Sequence, residues 1–406
     1  MEWWQTKEFK YKGRKLYLHN YVCEKLAKDY GTPLFLYDGE RFLENAKFLY
    51  DSLNKYSDRE IRISFMMKSN PSSSLLRLWK KAGYQFISTA FLSETKLALS
   101  SGIRAKKIMY IANTEANNET LRTLKKMRVN ITINTLSQLK KIDELGIKEV
   151  SVKLNTLSIG KTIEGKNGVS EDEIFDIFEH AKKKRIIIKG ISQHVGSQII
   201  EKNEITKYFR STEKLIEMVK KLEDKGYECK HLCFGGGLSV PYKKDDSLFP
   251  LDDFAKRIFA KTRFLKIKTR VFIFEPGRYL TANTGLLFSK VKALEKKQGK
   301  VYVSLDIKAN MIRRGLFHPR YKKYFEIVPC LRRKKMVTTT TGESILSSKN
   351  NLGTQKVSEL RVGDIVTFLN MGAYNSCSEF FFNCPHAKEL LIFKNNIVPM
   401  KSKSLA

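Results

Sequence analysis

Residues Glu171–Gln198 read EDEIFDIFEHAKKKRIIIKGISQHVGSQ, and the change of period inside this stretch decides the fold. From Glu171 to Lys184 the chain is charged and periodic, as an amphipathic helix is. From Ile186 to Ile191 it is a short apolar run, and it then breaks into the polar, glycine-containing His194-Val-Gly-Ser-Gln198. The same cycle extends in both directions. Strand-like runs at Ile61–Phe65, Lys107–Ile111, Val129–Ile133, Val150–Leu154, His231–Phe234 and Val271–Phe274 are separated by longer charged segments such as Ile205–Gly226. Strand followed by helix, repeated from about residue 40 to 280, predicts a parallel sheet, and this many units fit an eight-fold (β/α)8 TIM-type barrel better than a short open sheet. In such a barrel the chemistry sits at the C-terminal ends of the strands.

Beyond about residue 285 the helical period largely disappears. Leu286–Leu294, Val301–Leu305, Asp364–Leu369 and Glu389–Phe393 read as strands joined by polar turns, which predicts a C-terminal β-sandwich or β-barrel domain. The first 38 residues hold strand-like Lys15–Leu18 and Pro33–Tyr37 around a helical Val22–Tyr30, and are expected to join that β-domain. The expected divisions are residues 1–38, the barrel at 39–285 and the β-domain at 286–406. At 42% hydrophobic and 11% aromatic over 406 residues, the chain can bury a substantial core.

Lys and Arg number 75 against 42 acidic residues, a formal charge of +33. The lysines are spread through helix-like segments, with one denser run at Arg332-Arg333-Lys334-Lys335, so a solvated basic surface and an anion-gathering field both remain open. No nucleic-acid module accompanies the charge, and nucleic-acid binding is not expected. Six cysteines form no array with zinc spacing, so reduced thiols and no metal are expected. The N-terminus lacks the layout of a signal peptide and no apolar run approaches a membrane span, which points to the cytoplasm.

Several polar groups end predicted strands. Lys68 follows Ile61–Met67, where a partly desolvated lysine is suited to a Schiff base; in a chain so rich in lysine, a surface position is the ordinary alternative. His194 follows Ile186–Ile191, although a lone histidine is more often structural. Gly235-Gly236-Gly237 follows His231–Phe234, and its exposed N–H groups suit a phosphate. Glu275-Pro276-Gly277-Arg278 follows Val271–Phe274 and pairs an acceptor for a protonated ring nitrogen with a cation for phosphate or carboxylate; alone it is equally a turn with a salt bridge.

Their joint occurrence is more specific. Phe65-Met-Met-Lys68-Ser-Asn-Pro71, His194-Val-Gly-Ser-Gln198, Gly235-Gly-Gly237, Glu275-Pro-Gly-Arg278 and Gly372-Ala-Tyr374 together resemble the fold-type III pyridoxal-5′-phosphate (PLP) decarboxylases, a family that includes diaminopimelate, ornithine and arginine decarboxylases. Gln198, and Gly372-Ala-Tyr374 followed by Phe382-Asn383, resemble the diaminopimelate branch. The resemblance implies that Lys68 carries PLP and later protonates the substrate carbon, that His194 stacks on the ring, and that Ser197, the Gly235–Gly237 backbone and Gly277 hold the phosphate. It implies further that Glu275 keeps the ring nitrogen protonated, that Arg278 and Arg314 grip a carboxylate, and that Tyr374 contacts phosphate or substrate. His318 stands where the family has tyrosine, and Gly315 where it has proline.

The departures concern the substrate. Ungapped counting puts Ile345 at the family's loop cysteine and Leu346 at its acidic residue; a slipped register puts Gly342-Glu343-Ser344 there, and Cys377 and Cys384 are the nearby thiols. The segment Ile87-Ser-Thr-Ala-Phe-Leu-Ser-Glu94 keeps the family's glutamate and loses its aspartate, serine and glycine. The resemblance therefore implies decarboxylation of meso-diaminopimelate to lysine, or of a related carboxylate-bearing amino acid in a specialised pathway, with a non-catalytic PLP-binding regulator as the alternative. It implies a homodimer with shared active sites, and the altered loop with the basic surface leaves room for an acidic carrier protein that presents the substrate.

Overall fold

In the computed structural model the described residues are 2–112, 116–156, 168–297, 300–307, 311–312, 326–343, 351–376 and 386–400. Their contacts divide them into two units: Leu43–Ser239 with Leu248–Leu280, and Met1–Phe42 with Val240–Ser247 and Thr281–Ser402. The short Val240–Ser247 segment, which the sequence reading left inside the barrel, groups with the second unit.

The first unit holds a closed eight-stranded barrel. Its strands are Glu60–Met66, Phe86–Thr89, Ile108–Ile111, Asn130–Ile133, Glu149–Lys153, Ile187–Ser192, His231–Cys233 and Val271–Phe274. Each pairs in parallel with its sequence neighbour, and the last returns to the first with Val271 opposite Glu60 and Phe274 opposite Ile63. Seven of the eight coincide with the apolar runs of the sequence. Phe86–Thr89 does not, because only two apolar residues precede Ser88 and Thr89. Both polar residues are fully buried because both hydroxyls are satisfied: Ser88 Oγ lies 2.8 Å from Ser64 Oγ, and Thr89 Oγ1 lies 2.8 Å from Thr95 Oγ1.

Helices return the chain from strand to strand. Lys202–Asp224 buries Tyr208, Leu215, Ile216, Val219 and Leu222 on one stripe and leaves its lysines outside it. Side-chain caps begin others: Asn117 accepts from the Thr120 amide at 2.8 Å, and Thr135 from the Gln138 amide at 3.1 Å. Leu251–Phe264 brings Phe254 against Tyr208, Phe249 and Phe274, with ring centroids 5.3, 5.6 and 6.4 Å away. This aromatic cluster supports the strand whose next residue is Glu275.

The second unit carries a nine-stranded mixed sheet. Leu34–Asp38 pairs antiparallel with the long Gly285–Lys297 strand and parallel with Lys388–Phe393, so N-terminal and C-terminal parts of the chain share one sheet. Phe9–Lys12, Lys15–Leu18 and Tyr21–Val22 form a separate three-stranded sheet. Leu16, Leu34, Leu36, Phe288 and Ile392 are fully buried in this unit's core. The strands Met336–Glu343 and Asn351–Ser358 were not anticipated; Met-Val followed by four threonines carries little apolar signal, and while Thr340 Oγ1 pairs with Thr354 Oγ1 at 2.8 Å, the buried Thr339 hydroxyl has no partner among the described residues.

Phe254 is fully buried. Phe254→Ala is expected to cost about 3–5 kcal/mol, the usual loss for a large aromatic side chain in a core. A lower urea midpoint with an unchanged slope, followed by circular dichroism, checks it.

Candidate active site

Four turns meet at the C-terminal rim of the barrel. Glu60–Met66 runs into a single 3-10 turn, Met67–Ser69, that holds Lys68. This turn is fixed from within, by Ser69 Oγ donating to the Met66 carbonyl at 3.0 Å, and from its neighbour, by the Met66 amide donating to the Pro276 carbonyl at 3.2 Å. A Cβ added to Gly277 would sit 3.1 Å from the Ser69 Cβ, so the Lys68 turn and the Glu275–Arg278 turn are packed together.

The His194 turn is held by the residue before it. Gln193 is buried, its Oε1 accepts from Thr156 Oγ1 at 2.7 Å and Ser211 Oγ at 2.9 Å, and its Nε2 donates to Thr212 Oγ1 at 3.2 Å. Three hydroxyls thus fix the strand end from which His194 projects.

The glycine turn fits because it has no side chains. Gly235 adopts φ +71°, and a Cβ there would lie 2.2 Å from the Gln193 carbonyl oxygen; at Gly236 a Cβ would lie 2.5 Å from the Glu275 carbonyl oxygen. The Glu275 amide donates to the Gly235 carbonyl at 2.8 Å, the Ile199 amide to Gly237 at 3.0 Å, and Tyr208 Oη to Gly236 at 3.1 Å. Arg278 is buried and its Nε and Nη2 both lie 3.3 Å from Ser197 Oγ, which joins the histidine turn to the Glu275 turn.

Burial sets the charges. The Lys68 amine is held below its ordinary pKa by desolvation, partly offset by Glu94 and Glu275. His194 is pushed well below the usual imidazole range by the same desolvation and by the lysines Lys68 and Lys153, so it is neutral. Glu275 is raised by burial, against the hydrogen bonds of Ser88 and Cys233 and the charges of Lys153 and Lys68. Ser88 Oγ donates to Glu275 Oε1 at 2.6 Å. Glu94 is also raised by burial while its Oε2 accepts from the amides of Ala90 and Phe91 at 2.7 and 3.3 Å.

Lys68, His194, Ser197, Gly235–Gly237, Glu275, Gly277 and Arg278 therefore come together on one rim. Tyr374 lies in the second unit, at φ +60°. Arg314, His318, Ile345, Cys377 and Cys384 fall outside the described residues. Ser88, Gln193, Cys233 and Lys153 belong to this site without being among the residues expected from the sequence. Lys153 left one signal, a charge within the apolar run Val150–Leu154; Ser88 stands in the Ile87–Glu94 segment, which drew attention to Glu94 and not to it.

The donor set fits PLP. A phosphate needs clustered N–H groups where a side chain would obstruct, as at Gly235 and Gly236, with a cation near, as at Arg278; an aldehyde needs a neutral amine, and a pyridine nitrogen needs a buried carboxylate. Comparisons with known proteins agree. Residues 46–282 match the family model "Pyridoxal-dependent decarboxylase, pyridoxal binding domain". The chain is 27% identical over 390 residues to the diaminopimelate decarboxylase of Haemophilus influenzae, covering 92% of this chain and 91% of that one. It is 28% identical over 390 residues to the enzyme of the same name from Helicobacter pylori, covering 92% and 93%. Among solved structures, diaminopimelate decarboxylase from M. jannaschii in complex with L-lysine superposes with a TM-score of 0.88 at 22% identity, covering 97% of this chain and 94% of that one. Lysine/ornithine decarboxylase from Vibrio vulnificus complexed with putrescine gives 0.79 at 22%, covering 91% and 96%.

The glycine turn supplies a direct test. Gly235→Ala is expected to weaken binding of inorganic phosphate at least about tenfold by calorimetry, since side-chain room and positive φ are both lost. Gly226→Ala, also at positive φ (+82°) but with no atom within 4 Å of the added Cβ, is expected to bind phosphate like the unaltered chain.

Proposed function

The chain belongs to the pyridoxal-dependent decarboxylase family, and on that premise we propose that it converts meso-2,6-diaminopimelate to L-lysine and CO2. It is a PLP-dependent amino-acid decarboxylase with a small-molecule substrate. The observation that carries the site assignment is the half-buried Lys68 grouped with the buried Glu275 and Arg278 around a glycine turn, which a non-catalytic scaffold has no chemical need to assemble. The choice of diaminopimelate rests on the relatives of that name, which align with about nine-tenths of the chain.

Bound PLP supplies the electron sink that accepts the pair left when the carbon–carboxylate bond breaks. The rest is the work of side chains. Lys68, lowered in basicity by burial, gives up its proton more readily to become the amine that holds the cofactor, and after substrate takes its place Nζ returns a proton to the α-carbon. Glu275 keeps a proton on the ring nitrogen. His194, neutral and clamped through Gln193, covers one face of the ring. Ser197, the Gly235–Gly237 amides, Gly277 and Arg278 receive the phosphate, and Tyr374 completes either that site or the substrate pocket. Arg278 and Arg314 are the proposed carboxylate anchors, suited by their bidentate geometry, with His318 beside Arg314.

The divisions at residues 38 and 285, the cytoplasmic location and a homodimer with shared active sites belong to the same reading. Among the described residues no helix is long and apolar enough to cross a membrane. An acidic carrier protein as substrate donor is the finer possibility favoured by the +33 charge.

Two outcomes test this. Purified protein with PLP is expected to show a visible absorption band that Lys68→Ala abolishes, and to release CO2 from meso-diaminopimelate at a rate that the same substitution lowers by several orders of magnitude. A band without CO2 release from this substrate would retain the family and reject the substrate. Light scattering is expected to give twice the chain mass; a monomer with full activity would remove the shared site.

A further inference from the structure

Lys153 is a buried cation that the reading above does not use. It ends the Glu149–Lys153 strand, is 9% exposed, and makes no side-chain hydrogen bond or ion pair among the described residues. Desolvation of the side chain acts against its charge, and the charge of Glu275 acts for it.

The barrel fixes where it points. Ser151 Oγ meets His231 Nε2 at 3.1 Å, although their strands are not neighbours: each pairs with Ile187–Ser192, which lies between them. A bond that bypasses the intervening strand crosses the barrel interior. Side chains alternate along a strand, so Lys153 and Cys233, each two residues further on, face the same interior nearer the rim. Glu275 reaches this layer too, because Ser88 bonds it across the intervening Glu60–Met66 strand.

We propose that Lys153 is a positioning residue for the cofactor: its ammonium keeps the Glu275 carboxylate ionised, so that Glu275 can hold a proton on the pyridine nitrogen. The need arises because Lys68, the other cation that bears on Glu275, is the residue committed to the cofactor. This inference rests on the PLP reading above. The surroundings leave few substitutes. Ser88 and Cys233 give Glu275 hydrogen bonds without charge, His194 is neutral, and Glu94 interacts with Lys68. Burial and the charge of Lys68 bring Lys153 itself down to about 8, which leaves it mostly charged at neutral pH. The sign follows. Burial favours the neutral acid at Glu275, and removing the cation that opposes it moves Glu275 further up, so protonation begins at higher pH.

The experiment is an infrared pH titration of the full-length, cofactor-free chain, following the carboxylic C=O stretch identified by its loss in Glu275→Gln. Lys153→Met is expected to raise the midpoint by at least about one pH unit, and Lys153→Arg, which keeps a charge, to restore it. PLP affinity at neutral pH is expected to fall about tenfold in Lys153→Met and to recover in Lys153→Arg. Lys153→Gln replaces the methionine variant if the latter does not fold. The same midpoint in all variants overturns the proposal, as does an arginine variant that behaves like the methionine one, which would reduce Lys153 to a packing role. Absence of the visible band with PLP in the unaltered chain would sink the cofactor reading instead; the infrared midpoint, measured without PLP, tests Lys153 either way.

Discussion

The site depends on the closure of the barrel. When Val271–Phe274 pairs with Glu60–Ile63, the residues just beyond each strand, Glu275 and Lys68, are delivered to the same rim, and the Met66–Pro276 hydrogen bond locks the two turns together. An open sheet would leave those strands as opposite edges. Closure also lets Ser88 reach Glu275, and Ser151 reach His231, across an intervening strand, so polar side chains inside the barrel are satisfied by one another.

Within that frame the electrostatics are a balance between unlike requirements. Desolvation makes Lys68 a better nucleophile and His194 a neutral surface, yet the same desolvation tends to neutralise Glu275, whose proposed role requires charge. The interior resolves this by local bonding: two uncharged donors for Glu275, two backbone amides for Glu94, and lysines placed near enough to be felt. Low dielectric is thereby used in opposite senses by groups of one barrel.

The sequence made much of this legible, for definable reasons. Apolar strands such as Ile187–Ser192 and Val271–Phe274 advertise themselves, and so do the turns after them, because glycine, histidine and arginine are unusual at such junctions. Strands rich in hydroxyl side chains do not: Phe86–Thr89 and Met336–Glu343 look like loops until their partners are known. The same blindness extended to the site. Ser88 and Gln193 act through hydrogen bonds to residues 187 and 18–37 positions away, and a lysine in a chain with 75 basic residues carries little signal of its own. Lys68 was found through its neighbours in the motif, whereas Lys153 had no motif to belong to.

The crowding around Gly235–Gly237 has a consequence for how such a protein can change over generations. Carbonyl oxygens lie 2.2 and 2.5 Å from where the first atoms of any side chain at 235 or 236 would stand, so single substitutions there are closed to drift, and the cofactor site can be altered only by rebuilding several turns at once. A surface position such as Gly226 carries only the backbone cost of its positive φ, since an added Cβ there meets no atom. Heritable variation is thus channelled away from the reaction and towards the parts that choose its substrate, which is how a lineage can exchange one amino acid for another while its chemistry stays the same.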